Sequence, residues 1–443
     1  MPYISNTDED RRRMLAAIDV ESMEDLFADI PSELRARSFR LPAGRSEMDV
    51  RAHLRDLAEQ NDTGLAVFLG GGFYDHYVPA AVDALLRRGE LYTPYTPYQP
   101  EVSQGTLQAI YEYQTAICRL TGMEVANASL YDGGTALCEA VMMALRTTGR
   151  SRVVLAGGVN PIYRRMLAAY TRNLPVDLVD LPPHPGPTDR AAVRARLDGE
   201  TAAVVLQNPD FFGGVDDLSD VVEAAHECGA LALMGCYPVS LGLLKTPGEM
   251  GADIVTGEGQ SLGLPLSFGG PYLGFMATRQ RHVRQMPGRL VGRTADSRGR
   301  RGFVLTLQTR EQHIRRERAT SNICTNEALC ALGSLIYLTL MGRQGLKDLA
   351  RLCADKAAYA RRRLDGVPGL RVVAGGPTFN EFVCELPENA AEVAGRMLEA
   401  GCAAGLPLGR YYDGMERLLL VAVTERRSKR QIDSLAQAFE EVL

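Results

Sequence analysis

The chain contains 443 residues, 46% of them hydrophobic, which is enough for a sizeable core spread over two or three structural units. Its 49 Lys and Arg residues against 54 Asp and Glu residues give a formal net charge of −5, so the charge balance does not indicate nucleic acid or an anionic membrane as a partner. No segment approaches the roughly 18 apolar residues of a membrane span. Nine cysteines without a C-x-x-C pair suit a reducing compartment, and the first residues do not resemble a secretory signal, so we expect a cytoplasmic protein.

The first predicted elements form a helical arm over residues 1–62. Its second helix covers SEMDVRAHLRDLAEQN and places Leu54 and Leu57 on one side. Two more helices follow the arm, over VPAAVDALLRRGE and GTLQAIYEYQTAICRLTG. The second of these stops at Gly122, a residue type that is common at helix C-termini.

From residue 130 the hydrophobic period alternates between strand and helix. Strands are predicted at RVVLAGG, VDLVDL, AAVVLQNP, ALALMG, ADIVTG and YLGFMAT, and amphipathic helices separate most of them. Near-continuous apolar strands of this kind indicate a mainly parallel sheet that is covered on both faces. We assign this α/β pattern to a large domain over residues 63–330, and the shorter α/β pattern after it to a smaller domain over residues 331–443.

The segment YDGGTALCEA begins the first helix of the alternating region. Asp132, Gly133, Gly134 and Thr135 stand at its start, where free backbone N–H groups and the helix dipole favour an anion such as a phosphate. The same residue types also form ordinary N-cap turns that bind nothing. Both interpretations remain open at this stage.

The segment LYTPYTPYQPEVSQG is the most unusual in the chain. Tyr92, Tyr95 and Tyr98 alternate there with prolines, from Pro94 to Pro100. Stiff backbone and repeated phenol rings predict either an extended connection packed by tyrosine or the wall of a pocket or interface.

The segment TREQHIRRERATSNICTN is strongly basic. A run of this kind predicts a solvated helix face or a docking surface for an acidic partner. The six histidines show no i, i+4 pairing with each other and no nearby cysteine pair, so we predict no metal site.

Four blocks, taken in order, resemble one protein family. They are PYTPYQPEVSQG (94–105), YDGGTALCEA (131–140), GEGQSLGLPLSFGGPYLGF (257–275) and RRGFVLTLQTREQHIRRERATSNICTN (300–326). Together they are similar to the N-terminal, or alpha, subunits of the P-protein of the glycine cleavage system. The resemblance covers essentially the whole chain.

This resemblance implies the fold type I of pyridoxal-phosphate (PLP) dependent transferases, also called aspartate aminotransferase-like. That α/β fold has a large domain with a seven-stranded mixed sheet and a smaller C-terminal α/β domain. The implied reaction is that of glycine dehydrogenase: decarboxylation of glycine and transfer of the aminomethyl group to the lipoyl arm of H-protein. The implied partner is a beta subunit of the same fold, in an α2β2 assembly.

PLP chemistry needs a lysine amine for the Schiff base and usually an acidic partner for the pyridinium nitrogen. The lysines of this chain are Lys245, Lys347, Lys356 and Lys429. The resemblance places the lysine of catalytic relatives in the turn GEGQSLG, where this chain has Gln260 or Ser261 at the corresponding position. Met234 stands near the position expected for the acidic partner.

The resemblance therefore implies a subunit that binds no PLP covalently and is inactive alone, with PLP on the beta partner. Tyr95, Tyr98 and Gln99 are then candidates for a contribution to the partner's substrate site, and the Asp132–Thr135 turn is a vestigial phosphate turn. Two alternatives stay open. One is a self-sufficient PLP enzyme that uses Lys245, and the other is a purely structural paralogue.

Overall fold

The computed structural model describes residues 5–36, 38, 40–93, 95–373 and 375–443. Pro94, the first proline of the tyrosine-rich segment, lies outside the described residues. The chain divides into two compact units, Met1–Thr63 and Gly64–Leu443.

The N-terminal unit contains the two predicted helices, α1 (Asp8–Ala17) and α2 (Glu47–Glu59). Each begins at a hydroxyl residue whose side chain accepts a hydrogen bond from the first turn: Thr7 in α1 and Ser46 in α2. Among the residues described between 5 and 63, none is buried. This unit therefore has no hydrophobic core of its own.

The second unit begins with a run of alternating strands and helices. In chain order these are β1 (Ala66–Val67), α3 (Ala80–Leu86), α4 (Gln104–Thr121), β2 (Val125–Ala126), α5 (Gly133–Thr148), β3 (Arg152–Leu155), α6 (Pro161–Thr171), β4 (Asp177–Asp180), α7 (Arg190–Arg194), β5 (Thr201–Asn208), α8 (Ser219–Glu227), β6 (Leu231–Cys236), β7 (Ile254–Glu258) and β8 (Gly274–Thr278). The strand and helix predictions for residues 130–278 are confirmed at these elements.

Seven of these strands form one sheet in the order β2-β8-β7-β6-β5-β3-β4. The strands from β4 to β7 in this order are parallel, and β8 and β2 are antiparallel to their neighbours. Successive side chains of each strand point to opposite faces, so Leu233 packs with α5 on one face and Met234 packs with the α4 residue Ile117 on the other. The seven-stranded mixed sheet that the resemblance implied is confirmed, and so is the covering of both faces that the strand and helix pattern predicted.

The carboxyl ends of the parallel strands meet the N-terminus of α5. Asn208, Cys236 and Gly257 lie in register at the ends of β5, β6 and β7. Helix α5 begins at Asp132, whose Oδ1 accepts a hydrogen bond of 2.8 Å from the backbone N–H of Thr135. In open α/β sheets this edge is where ligands bind, so the candidate site lies here.

The remaining elements follow β8. They are β9 (Leu290–Ala295), β10 (Arg301–Thr306), α9 (Gln312–Arg315), α10 (Ala328–Asp365), β11 (Arg371–Val372), β12 (Glu381–Glu385), α11 (Ala390–Glu399), β13 (Cys402–Ala403), β14 (Leu406–Pro407), β15 (Leu418–Ala422) and α12 (Lys429–Val442). The β9–β10 hairpin is antiparallel and was not predicted, because its arginines and glycines obscure the alternation of apolar residues. Strands β11, β12, β15 and β14 form a four-stranded antiparallel sheet.

The sequence runs NEALCALGSLIYLTLMG and LKDLARLCADKAAYARRRL predict two separate helices, and the structure confirms them. The 38 residues of α10 form two helical segments that meet at Gly342, whose φ of 59° and ψ of −175° are not helical. Glycine adopts this positive φ without steric cost, so the chain bends there and continues. Because α10 begins at Ala328, it crosses the predicted domain boundary between residues 330 and 331. The three-part division of the chain stays a prediction. None of the described helices combines the length and apolar character needed to cross a membrane.

Candidate functional site

A buried carboxyl group lies at the N-terminus of α5. Glu258, the last residue of β7, accepts a hydrogen bond of 2.9 Å at Oε2 from the backbone N–H of Gly133. Its Oε1 accepts hydrogen bonds from the backbone N–H groups of Gln260 at 2.9 Å and Leu273 at 3.0 Å. Burial raises the pKa of Glu258 to about 7, against the opposing effect of these three N–H donors.

The first turn of α5 is also covered by α6. A Cβ atom at Gly133 would lie 2.5 Å from the Tyr163 hydroxyl oxygen, and one at Gly134 would lie 2.5 Å from the Met166 sulfur. A side chain at either glycine would therefore displace a side chain of α6, which covers the first turn of α5 closely. The N–H of Thr135 is bound by the Asp132 side chain. The turn predicted to bind phosphate, Asp132–Thr135, forms the start of α5. Side chains of this chain, from Glu258 and from α6, cover it.

Gln260, one of the two residues predicted at the lost lysine position, is buried and fully hydrogen-bonded. Its Oε1 accepts a hydrogen bond of 2.9 Å from the Tyr74 backbone N–H. Its Nε2 donates to the carbonyls of Tyr74 at 3.1 Å and Leu264 at 2.8 Å. Ser261 is also buried, and its hydroxyl has no hydrogen-bond partner among the described residues.

Tyr74 connects this turn to a second buried carboxyl group. Its hydroxyl donates a hydrogen bond of 2.7 Å to Oε2 of Glu381, and Oε1 of Glu381 accepts one of 2.7 Å from the Gly71 N–H. Burial raises the pKa of Glu381 to about 7. Asp210, which accepts hydrogen bonds from the N–H groups of its own loop, also has its pKa raised to about 7 by burial.

These groups surround a small cavity at the carboxyl edge of the sheet. Its volume is about 40 Å³. Pockets for cofactors and drug-sized ligands are roughly 300–1,000 Å³, so this cavity has room only for water. The polar side chains that line it include Tyr74, Asn160, Tyr163, Asp210, Glu258 and Glu381. No lysine, arginine or histidine is among the described residues of the lining.

Met234 does not face this cavity. Its side chain belongs to the core cluster on the α4 face of the sheet, and Gly235 is the β6 residue that lines the cavity beside Cys236. Neither residue carries a carboxylate. At this edge of β6 the chain therefore has no acidic side chain for a pyridinium nitrogen.

Lys245 lies outside the cavity on a partly exposed connection before β7. Its Nζ donates hydrogen bonds of 3.0 Å to Oδ2 of Asp217 and 2.8 Å to the Ser219 hydroxyl. The Ser219 hydroxyl and Lys245 together hold the pKa of Asp217 at about 2. The hydrogen bonds to Asp217 and Ser219 hold the Lys245 amine away from the 40 Å³ cavity, whose lining does not include it.

The tyrosine-rich segment presents its rings to solvent. Tyr95 and Tyr98 are 72% and 40% exposed, their ring centroids are 6.3 Å apart, and Gln99 is exposed beside them. All three residues are exposed, and their contribution to a partner's substrate site stays a prediction. The structure does not bring them to the 40 Å³ cavity, whose lining contains none of them.

Tyr98 is anchored by a buried arginine. Arg289 Nη2 donates a hydrogen bond of 2.6 Å to the Tyr98 hydroxyl, and its guanidinium carbon lies 5.3 Å from the centroid of the Tyr98 ring. Arg289 Nε is 3.5 Å from Oε2 of Glu311, and both side chains are almost fully buried. The ring of His313 contacts the Tyr98 ring edge-on at 5.6 Å. Sequence analysis noted the segment with Glu311 and His313 only for its positive charge and missed Arg289.

One cluster of metal-binding residue types occurs in the described part of the chain: His76, Cys353 and Glu425. His76 Nδ1 lies 2.6 Å from Oε2 of Glu425, a hydrogen-bond distance, and Nε2 is bonded to the Tyr237 hydroxyl. Cys353 Sγ is 3.6 Å from the same Glu425 oxygen. Because both imidazole nitrogens have protein partners, the geometry is that of a buried hydrogen-bonded network.

Known structures define the class of this fold. A sphingosine-1-phosphate lyase from Burkholderia pseudomallei K96243 matches with a TM-score of 0.65 and 17% identity, over 94% of each chain. A glutamate decarboxylase from Lactobacillus brevis CGMCC 1306 matches with a TM-score of 0.66 and 14% identity, over 94% of this chain and 98% of that one. At such identities the likeness shows the fold alone. The chain has the fold type I of PLP-dependent enzymes.

Closer similarities show the family. The family model for the glycine cleavage system P-protein matches residues 1–439. A probable glycine dehydrogenase (decarboxylating) subunit 1 from Geotalea uraniireducens (strain Rf4) is 59% identical over 443 residues, with all of both chains covered. A crystal structure of glycine decarboxylase (P-protein) of the glycine cleavage system, in inhibitor-bound form, matches with a TM-score of 0.93 and 47% identity over 100% of each chain. The chain belongs to the glycine cleavage system P-protein family.

The residues at the sheet edge do not fit a bound PLP group. A Schiff base needs a lysine, and the turn after β7 carries the fully hydrogen-bonded Gln260 instead. A phosphate needs free N–H groups at the start of α5, and Glu258 and the α6 side chains occupy that position. The cavity of about 40 Å³ is too small for the cofactor ring.

Proposed function

We propose that this chain is a non-catalytic alpha subunit of a glycine-decarboxylating P-protein, whose PLP-bearing lysine lies on a beta subunit. The observation that carries the proposal is the buried Gln260, fixed by three hydrogen bonds where the resemblance places the lysine of catalytic relatives. No lysine is among the described residues that line the cavity at this edge. The chain alone is then inactive.

The complex would decarboxylate glycine and transfer the aminomethyl group to the lipoyl arm of H-protein. The similarity to relatives named subunit 1 of a glycine dehydrogenase over the full chain supports this activity and a partner subunit. We propose an α2β2 assembly in the cytoplasm, with H-protein as a second partner. We expect neither a membrane nor a nucleic acid as a partner in this function.

Tyr95, Tyr98 and Gln99 would be the contribution of this chain to the substrate site of its partner. All three are exposed, and Tyr98 is held in one orientation by Arg289. A side chain fixed in this way keeps its hydroxyl in place without losing rotamer entropy when a partner docks. The hydroxyl groups would orient substrate or exclude water at the boundary between the two subunits.

The N-terminal arm would serve assembly. It exposes many large apolar side chains that a unit without a core cannot bury: Met14, Ile18, Met23, Leu26, Phe27, Ile30, Leu34, Leu41, Met48, Val50, Leu54 and Leu57. Exposed apolar surface on this scale is typical of protein interfaces. We propose that the beta subunit covers it.

The first alternative, a self-sufficient PLP enzyme that uses Lys245, is disfavoured by the ion pair of Lys245 with Asp217. Lys245 lines a separate cavity of about 340 Å³ that shares Gln207 and Asp210 with the 40 Å³ cavity at the sheet edge. The second alternative, a purely structural paralogue, differs from the proposal only at the tyrosine-rich segment. It requires that Tyr95 and Tyr98 do not affect the partner's turnover.

Borohydride trapping tests the proposal. The chain is purified alone and with a co-expressed beta subunit, incubated with PLP, reduced with borohydride and digested for peptide mapping. The label is expected on a lysine of the beta subunit only, and the chain alone is expected to stay colourless. Labelling of Lys245 in the isolated chain would contradict the proposal, and the Lys245→Ala variant provides the control for non-specific reduction.

A further inference from the structure

We infer that Glu258 is a built-in replacement for a phosphate group: its carboxyl group occupies the anion position at the N-terminus of α5 and closes that position to any ligand. This inference goes beyond the proposed function. It concerns the fold of this chain alone and holds whether or not a beta subunit carries the cofactor.

The hydrogen-bond pattern is the first argument. Every recorded hydrogen bond of the Glu258 side chain is accepted from a backbone N–H: from Gly133 at the start of α5, and from Gln260 and Leu273. A set of converging N–H donors at a helix N-terminus is the arrangement that binds phosphate oxygens in proteins. Here the two oxygens of one carboxyl group accept from three N–H donors, one at the start of α5 and two in the segments after β7 and before β8.

The position of Glu258 in the fold is the second argument. It ends β7, at the sheet edge where ligands of open α/β sheets bind, and Gly133 N–H points from α5 to the same place. Gly257 beside it carries no side chain, and a Cβ atom there would lie 2.4 Å from both the Cys236 carbonyl oxygen and the Phe275 ring. The backbone around Glu258 is therefore tightly constrained, so the carboxyl group has little freedom to leave.

The covering by α6 is the third argument. The Tyr163 hydroxyl and the Met166 side chain approach Gly133 and Gly134 so closely that a Cβ atom would clash. With Glu258 in place, the remaining cavity of about 40 Å³ holds water at most. Glu258 thus connects α5, β7 and the segment before β8, three elements that a bound phosphate would otherwise hold together through its own oxygens.

Truncation of Glu258 tests the inference. In Glu258→Ala the Gly133 N–H at the helix start and the Gln260 and Leu273 N–H groups beside it lose their acceptor and gain space, so inorganic phosphate is expected to bind there. The matched control is Glu381→Ala, which removes a carboxyl group from the same cavity but leaves only one N–H and one hydroxyl donor, away from any helix start. The melting temperatures of the full-length wild type, Glu258→Ala and Glu381→Ala are measured in sodium phosphate and in sodium chloride at equal ionic strength.

The expected result is that phosphate raises the melting temperature of Glu258→Ala by about 2 °C or more above the value in chloride. The wild-type chain and Glu381→Ala should not respond. An equal response of all three proteins would indicate general salt stabilisation and would overturn the inference, as would the absence of any response in Glu258→Ala.

If Glu258→Ala does not fold in chloride, refolding from urea with and without phosphate gives the answer. Recovery of native chain only with phosphate supports the inference, and equal failure in both buffers overturns it. As a further check, Glu258→Gln keeps the volume but presents an NH2 group to N–H donors. It should melt below Glu381→Gln and should gain nothing from phosphate, because the amide still fills the position.

Discussion

Arg289 and Tyr98 form a coupled pair, with a hydrogen bond of 2.6 Å from the Arg289 guanidinium to the Tyr98 hydroxyl and the guanidinium carbon 5.3 Å from the ring centroid. The arginine is buried against Glu311, whereas the tyrosine ring is 40% exposed. A charged group inside the protein thus fixes an aromatic group on its surface. This arrangement suits a residue that acts on another molecule.

Tyr98→Phe tests this role in the assembled enzyme. Loss of one hydroxyl should lower kcat/KM of the complex by about 3- to 10-fold, the effect of one hydrogen bond of roughly 0.5–1.5 kcal/mol. The melting temperature should fall as well, because the buried Arg289 Nη2 loses its acceptor, so the kinetics are compared at a temperature at which both proteins are folded. Tyr92→Phe is the control, since Tyr92 is 66% exposed in the same segment. Unchanged kinetics in Tyr98→Phe would favour the purely structural paralogue.

Gln260 and Ser261 should differ sharply in their contribution to stability. Gln260→Ala leaves the Tyr74 N–H and two buried carbonyls without partners and creates a cavity, so we expect a loss of about 2–4 kcal/mol in the free energy of unfolding. Ser261→Ala removes a hydroxyl that has no partner among the described residues, so the change should stay within about 0.5 kcal/mol. Urea denaturation of both variants measures the difference, and equal losses would show that the Gln260 hydrogen bonds contribute no stability.

The buried carboxyl groups predict how stability depends on pH. Burial raises the pKa values of Asp210, Glu258 and Glu381 to about 7, above the roughly 4.3 of an exposed glutamate or 3.9 of an exposed aspartate. The folded state therefore binds protons more tightly than the unfolded state. The stability linked to these protons is complete at acidic pH, and it falls as the pH rises through 7.

Glu381→Gln should weaken this dependence. The free energy of unfolding of the wild-type chain is expected to fall between pH 6 and pH 8.5, and the slope of that fall should be smaller in Glu381→Gln, because one of the three titrating groups is gone. Urea denaturation at a series of pH values gives both slopes. A wild-type stability that does not change over this range would show that these groups are already ionised in the fold below pH 6.

Lys245→Ala should change the stability, the visible absorbance and the turnover of the complex very little. Its ion pair with Asp217 is partly exposed, and such pairs contribute about 0–1 kcal/mol to stability. The complex with the beta subunit should keep its visible absorbance and its turnover, because the amine lies outside the cavity. Loss of the absorbance in this variant would support the self-sufficient enzyme, and visible spectroscopy after gel filtration decides the question.

Assembly should depend on the N-terminal arm. Leu54 and Leu57 are 57% and 45% exposed on α2, so charged residues there would not disturb a core. Leu54→Glu with Leu57→Glu should reduce binding of the beta subunit at least about 10-fold, because glutamate cannot be buried in an apolar contact at low cost. Leu398→Glu on α11, 48% exposed in the wild type, is the control. Analytical ultracentrifugation measures both, and equal binding would exclude the arm from the interface.

Periodicity alone located most strands of the large sheet and the helices between them, because near-continuous apolar strands and amphipathic helices leave distinct patterns. It failed at the β9–β10 hairpin, where arginine and glycine interrupt the alternation. The break at Gly342 was visible in the sequence, because a glycine inside a helix-forming run indicates the point at which one helical segment ends and the next begins.

By itself, the sequence determined that this chain has no lysine in the turn after β7, since residue identity needs no coordinates. It also determined that glycines and a capping aspartate stand at the start of α5. Only the tertiary structure showed that the Glu258 carboxyl group occupies the position of a ligand at the start of α5. Gly133 and Glu258 are 125 positions apart, and their hydrogen bond exists because the parallel sheet brings the end of β7 to the first turn of α5. Contacts of this kind depend on the packing of whole elements, and no local pattern encodes them.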